Sequence, residues 1–375
     1  MNNPNSRFTE EYKMAVNKPI DPKRLQALQE LSNKTLYENA DPAFIPFFER
    51  TIAEGVETVS NNFNTLGMFR APHSRDLSGV DIALVGTPCD LGVPNPRPGT
   101  RKGPEAVRYW SLDRNMVHYA TKICPFEICS VIDYGDIEPK EDAYNLASWL
   151  NAFEKVYLDF KANNVVPLTI GGEHTCTYPI LKGLSNNGAE PLALIHLDAH
   201  ADTATNFGGT RVSDATLFQV AAVDGFIDPT KTIQIGLRGR GVPRADFSHK
   251  SGMTIIYADD VQEKGVPWVM EQVKKVIGDS PVYLSIDTDV FDCSCMPGTT
   301  LPEPFGLSGI EVRDIIRGSR GLDVVGADLM ELSPPYDPTG MSACLAAGIA
   351  FEQFCVLAEA RARRTGKENK THWNK

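Results

Sequence analysis

Residues 194–203, LIHLDAHADT, hold an apolar run that stops abruptly at two aspartates and a histidine separated by single residues. Such a run reads as a buried strand whose carboxyl end opens into a site, the place where open α/β sheets bind ligands. Side chains alternate along an extended chain, so Asp198, His200 and Asp202 are expected on one side of the strand end. Two carboxylates and an imidazole converging there repel one another, or stay desolvated at a cost, unless a cation lies between them. The stretch therefore predicts a metal site.

Two other stretches share this pattern. Residues 164–175, NVVPLTIGGEHT, end an apolar run in Gly-Gly, Glu173 and His174, and residues 282–292, VYLSIDTDVFD, end one in Asp287 and Asp289. Three strand ends thus offer His174, Asp198, His200, Asp202, Asp287 and Asp289 as ligands. A mixed carboxylate and imidazole set suits Mn, Ni, Co, Zn or Fe better than Ca or Mg, which prefer oxygen cages. So many ligands, four of them carboxylates able to bridge, exceed the needs of one ion and imply two divalent metals.

The stretches GGEH, DAHAD and SIDTDVFD, with GTPCDLGVPNPRPGTRKGPEAVR upstream and GADLMELSP downstream, resemble the ureohydrolase family of arginases and agmatinases across residues 80–360. The resemblance implies an α/β fold, the arginase-like three-layer αβα sandwich on a mostly parallel eight-stranded sheet. It implies one ion on His174, Asp198, Asp202 and Asp287 and a second on Asp198, His200, Asp287 and Asp289, with Asp198 and Asp287 bridging. It places Glu331 on the substrate guanidinium, a planar charge-assisted pairing. Asp202 becomes the proton carrier to the departing nitrogen.

Departures from the family pattern fall around the substrate rather than the metals. Asp214 stands where relatives commonly carry histidine, Cys293 replaces a proline, Thr300 a glycine and Leu301 a threonine. Asp214 offers an acceptor opposite Glu331, which suits a ligand that is all donor, and Leu301 helps to close the pocket. The long N-terminal arm and the GVPNPRPGTRKGP loop resemble the guanidine hydrolase branch, which uses nickel. The expectation is hydrolysis of guanidine to urea and ammonia by a metal-bridging hydroxide, with nickel favoured and manganese as the alternative. The other substrate reading is agmatine or a guanidino acid, giving urea and the corresponding amine. A metal-dependent amide deacetylase and a non-catalytic binding subunit are further readings, and the complete ligand set with Glu331 favours guanidinium chemistry over both.

A net charge of −11 and a pI near 5.2, with no Lys/Arg stripe, argue against nucleic acid and suit a small cationic guanidino substrate. The start of the chain lacks a basic-then-apolar signal pattern, and no run is expected to cross a bilayer, so a cytoplasmic location without membrane contact is expected. Eight cysteines without CxxC spacing read as reduced thiols, and Cys293 and Cys295, though close to Asp289, are not expected to ligate metal. His196 shares the parity of Asp198 but lies deeper, as a core histidine bonded to backbone would.

Residues 76–363 are expected to form the catalytic domain that the resemblance implies, preceded by a helical arm over 1–75 and followed by a polar tail over 364–375 that is expected to fray. Strands are expected at 82–86, 130–134, 165–170, 192–197, 231–236, 254–257, 282–286 and 323–326, alternating with helices. On alternation alone a closed β/α barrel is the fallback. In the arm, Asp21-Pro22 predicts a helix start with Leu25, Leu28 and Leu31 on one stripe, and Phe48, Ile52, Val56 and Val59 mark a second stripe. Those faces must be covered by the chain itself or by another subunit. A homo-oligomer, a trimer or hexamer, is the expected assembly.

Overall fold

The apolar runs form eight strands: β1 (Ile82–Thr87), β2 (Val131–Asp136), β3 (Val166–Gly171), β4 (Leu192–Leu197), β5 (Ile227–Leu237), β6 (Thr254–Tyr257), β7 (Val282–Asp287) and β8 (Val324–Met330). The computed structural model describes residues 20–34, 42, 45, 67–92, 96–112, 114, 116–205 and 209–367. All strand pairs are parallel, in the order β2-β1-β3-β8-β7-β4-β5-β6. The sheet is open, with β2 and β6 at its edges, so the fallback of a closed barrel is wrong. Every residue of β1, β3, β4 and β7 is buried, as expected of parallel strands covered on both faces.

Helices α1 (Pro22–Ser32), α2 (Gly103–Ser111), α3 (Pro125–Ile128), α4 (Leu146–Ala162), α5 (Thr177–Leu184), α6 (Leu217–Val223), α7 (Asp246–Ser251), α8 (Ala258–Ile277), α9 (Gly309–Gly318) and α10 (Met341–Arg364) accompany the strands. Phe153, Tyr157 and Phe160 of α4 join Ile180 and Leu181 of α5 and Phe218 of α6 in one core cluster. The other layer centres on α10, which packs on β8 and β3 and against α2, α3 and α9. Its length and apolarity would suit a membrane span, contrary to the expectation of no such run, but 72% of that window is buried inside the fold. An apolar helix enclosed on most sides by protein has that composition for the sake of the core.

Capping residues set several helix starts. α4 begins at Leu146 rather than near Asp142, because the Asn145 side chain accepts from the Ala147 N–H at 3.0 Å while Asp142 takes φ 49°. Ser308 and Glu311 form a capping box that starts α9.

The chain divides into two compact units, residues 1–58 and 59–375. Within the first, Asp21 caps α1 by accepting from the Lys23 and Arg24 N–H groups at 2.9 and 3.1 Å, and Pro22 is its first residue. Leu25, Leu28 and Leu31, the residues of its stripe, are 42, 45 and 49% exposed. The stripe at Phe48, Ile52, Val56 and Val59 lies outside the described residues. At the other end, the first tail residues are anchored rather than frayed: Arg364 pairs with Asp323 and Lys367 with Asp81, each at 2.5 Å.

The topology positions the site. After β3 the chain passes over two vacant sheet positions to β4, adds β5 and β6 outward, and only then returns to insert β7 and β8 between β3 and β4. The carboxyl ends of β3, β8, β7 and β4 consequently lie side by side, where an open parallel sheet changes the direction of its connections and forms its ligand crevice.

One ion-pair group ties α2 to β2. Arg108 Nε and Nη2 donate to the two Asp133 oxygens at 2.9 and 3.2 Å, and Nη1 donates to Asp136 at 2.5 Å. Burial pushes the Asp133 carboxyl up, but Arg108 and the Met68 and Gly135 N–H groups outweigh it and hold it below its ordinary range. Arg108→Gln leaves a buried carboxylate without its counter-charge, and the expected loss is about 3–5 kcal/mol by urea denaturation. The depressed carboxyl contributes stability that is present above about pH 4 and lost as the pH falls through its lowered folded value, so the deficit should close on acidification.

Candidate metal centre

β4 ends at Leu197, one residue before the first acid, so strand alternation does not itself aim the DAHAD side chains. The following loop does. Asp198 sits at the strand end with both oxygens in use, and Asp202 turns back in a left-handed conformation at φ 52°. His200 and Asp202 consequently face different groups rather than sharing one side, a correction to the extended-chain expectation.

The first group centres on His174, at the end of β3. Its Nδ1 lies 3.4 Å from Asp198 Oδ2, 3.2 Å from Asp202 Oδ2 and 3.2 Å from Asp287 Oδ2. The second centres on His200, whose Nδ1 lies 2.9 Å from Asp289 Oδ2 and 3.5 Å from Asp198 Oδ1. Asp198 thus spans the two imidazoles. Asp287 turns its other oxygen to the Asp289 N–H at 2.8 Å, so its metal-facing contact is with the His174 group.

Nitrogen and oxygen atoms 2.9–3.5 Å apart have the spacing of neighbouring ligands on one ion, given metal–ligand bonds of about 2.1 Å. The donor set therefore fits two divalent cations, with Asp198 between them. Cys293 is exposed and Cys295 Sγ points to the Asp292 carbonyl at 3.3 Å, so both thiols stay outside these groups.

Outside the ligands stand residues that fix them. His196 is buried, but its partners are side chains and not the backbone expected: Nε2 lies 2.8 Å from Asp198 Oδ2, and Nδ1 lies 3.0 Å from Gln234 Nε2. Gln234 also donates to the Ala201 carbonyl at 2.7 Å, which requires its amide nitrogen at this position. His196 Nδ1 must then accept, leaving Nε2–H to donate to Asp198. His174 Nε2 meets Ser285 Oγ at 2.8 Å, and Ser285 donates to the buried Asp328 at 2.7 Å. Gln234, Ser285 and Asp328 lie inside strands, where nothing in the sequence separates them from ordinary strand polar residues.

Glu331, the first residue after β8, takes φ 66°, the second left-handed residue at the site. Such conformations cost about 1–3 kcal/mol and persist where the surroundings enforce them. The His174 N–H donates to Glu331 Oε1 at 2.7 Å and Thr300 Oγ1 to Oε2 at 2.6 Å. The hydroxyl touching Glu331 thus comes from Thr300, while Leu301 is half-buried one residue farther on. Asp214 accepts from the Ala215 N–H at 2.7 Å, and its charge acts on Glu331. Glu173, beside His174, is buried and receives the Leu91 and Gly92 N–H groups at 3.1 and 2.6 Å, fastening the loop after β1 to the site. Its place in the GGEH stretch was the available sequence signal.

Burial dominates the electrostatics. It raises the Asp202 and Asp287 carboxyls well above their ordinary range, with neighbouring carboxylates adding to the effect, and it raises Asp289 to about 6. Burial, then Asp214, pushes Glu331 up to about 8. Burial opposes the charged imidazoles, yet the surrounding carboxylates hold His174 and His200 well above their ordinary value. Asp198 runs the other way, because His196, His174 and His200 overcome its burial.

Residues 80–355 match the Arginase family, and the chain belongs to that family. It is 38% identical over 295 residues to a guanidinobutyrase of Pseudomonas aeruginosa, covering 77% of this chain and 91% of the other. It is 35% identical over 308 residues to a mitochondrial agmatinase of Gallus gallus, covering 82% and 89%. The solved structure of proclavaminate amidino hydrolase from Streptomyces clavuligerus superposes with a TM-score of 0.74 at 32% identity, covering 79% of this chain and 97% of that one.

The raised groups bind more protons folded than unfolded, so without metal their contribution to stability falls as pH rises from the carboxylate range to about 8. Asp198 opposes this in the acid range, and His196, whose burial lowers it, opposes it as the pH rises to the ordinary imidazole value. Cations replace those protons and stabilise the folded state by mass action. Chelator-treated protein should therefore melt at a lower temperature at pH 8 than at pH 6, and saturating Mn2+ should remove most of that difference. A metal-free melting temperature that rises over this interval contradicts the reading.

Proposed function

We propose that the protein is a ureohydrolase that holds two divalent ions and hydrolyses a guanidino C–N bond, releasing urea and an amine. The observation that carries this is Glu331, a buried carboxylate against the His174 ligand group with one donor already on each oxygen. Burial and Asp214 leave its charge uncompensated. A guanidinium supplies the missing positive charge, with planar N–H geometry matched to a carboxylate.

When bound, the ions lower the pKa of coordinated water and so supply the nucleophile near neutral pH. The protein's share is positional. Glu331 orients the guanidinium carbon toward the ligand groups, Thr300 and the His174 N–H fix Glu331, and Asp202 takes up a proton and delivers it to the departing nitrogen. Two imidazoles and four carboxylates accept manganese and nickel alike.

For the substrate we favour agmatine or a guanidino acid, in keeping with the likeness to a guanidinobutyrase and an agmatinase. Bare guanidine is the second reading. Asp214 favours it by placing a second acidic charge close enough to raise Glu331, an arrangement suited to a ligand with donors around its whole rim.

Urea release from metal-loaded protein, measured with 4-guanidinobutyrate, 3-guanidinopropionate, agmatine, arginine and guanidine, should give the highest kcat/KM with a tailed compound other than arginine. A guanidine value above all of these transfers the assignment to the second reading, and no urea from any compound refutes both. Glu331→Gln should cost about 2–4 kcal/mol in the barrier, roughly 30- to 1000-fold in kcat/KM, with metal content unchanged.

A further inference from the structure

The two imidazoles that face the ion sites are supported differently. His174 Nε2 is bonded through Ser285 to a buried carboxylate, Asp328. His200 Nε2 is buried and has no hydrogen-bond partner among the described residues. With Nδ1 turned to Asp198 and Asp289, a neutral His200 that ligates through Nδ1 carries its proton on Nε2, where a buried donor requires an acceptor.

Glu303 stands opposite. Its side chain is 9% exposed and Oε1 lies 3.8 Å from His200 Nε2, longer than a hydrogen bond but within reach of a small side-chain rotation. The same oxygen pairs with Arg240, whose side chain is 52% exposed. Gly239, at φ +51°, leaves room for this carboxylate, since a Cβ there would collide with it. The backbone beneath Glu303 is also tied to the ligands: Arg238 Nη2 donates to the Glu303 carbonyl at 2.8 Å and to the Asp289 carbonyl at 2.7 Å.

Resting on the two-ion reading, we propose that Glu303 is a positioning residue for the second ion. Its carboxylate accepts from His200 Nε2–H and holds the Nδ1 lone pair toward the point shared with Asp198 and Asp289. Arg240 and the histidine share its Oε1 oxygen. Outer carboxylates of this kind orient ligating histidines and raise their basicity, and losing one typically costs 10- to 100-fold in metal affinity. Because Glu303 does not touch the His174 group, the effect falls on one of the two ions.

The test is stepwise binding of Mn2+ to the chelator-treated full chain by titration calorimetry, with bound metal counted by elemental analysis after desalting. Wild type should bind two ions. Glu303→Gln should keep the tighter one and bind the other about 10- to 100-fold more weakly, with an unchanged circular dichroism spectrum. Glu303→Asp, which retains the charge, should recover part of the loss and carries the test if the glutamine variant does not fold. Arg240→Gln removes the ion pair but leaves the carboxylate, and should bind both ions as wild type does. Two ions at wild-type affinity in Glu303→Gln overturn the proposal, as does an equal weakening in Arg240→Gln, which would make the ion pair the operative contact. Fewer than two ions in wild type overturn the two-ion reading, and the proposal with it.

Discussion

Mutual repulsion among buried carboxylates is the constraint on which the centre of this structure depends. Asp198, Asp202, Asp287 and Asp289 converge at neighbouring strand ends with little water to screen them. Burial raises three of the four, while three histidines hold Asp198 ionised. Such a cluster is tolerable only with its charge compensated, by protons on the carboxyls and imidazoles or by cations. The placement of His174 and His200 on opposite sides of Asp198 divides the cluster into two groups and gives it its bridging form.

The sheet makes that convergence possible. Chain order places β7 and β8 between β3 and β4, so residues far apart in sequence meet at the carboxyl ends of β3, β4 and β7. Outward from the ligands, Ser285 and Asp328 support His174, His196 and Gln234 support Asp198, and Arg238 ties the Asp289 loop to the Glu303 loop. The left-handed residues Asp202 and Glu331 are held against their backbone preference by these surroundings. The strain therefore falls on a carboxylate of the His174 group and on the carboxylate proposed to meet the substrate.

The fold was largely legible because its signals are local. All eight strands were expected within a few residues of their positions, since each is a short apolar run closed by polar or turn residues. Helix starts were less legible where one capping side chain decides, as at Asn145. The ligand residues could be picked out as acids and histidines ending apolar runs. Gln234, Ser285, Asp328 and Glu303 could not, because a polar residue in a strand or a Pro-rich loop looks the same whether it faces solvent or a ligand.

By itself, the sequence determined the alternation of strands and helices, the family and the identities of the acids and histidines that cluster, all of which follow from short-range pattern and residue chemistry. The division of these residues into two groups was implied by the family resemblance, and the tertiary structure decided how each side chain is oriented, which depends on loop geometry past Leu197 and on strand order rather than on spacing along the chain. It also decided that Thr300, one position before Leu301, contacts Glu331, and that His196 is a partner of Asp198 rather than a backbone-bonded core residue. The Thr300–Glu331 bond joins residues 31 apart in the chain, and no local pattern encodes that proximity.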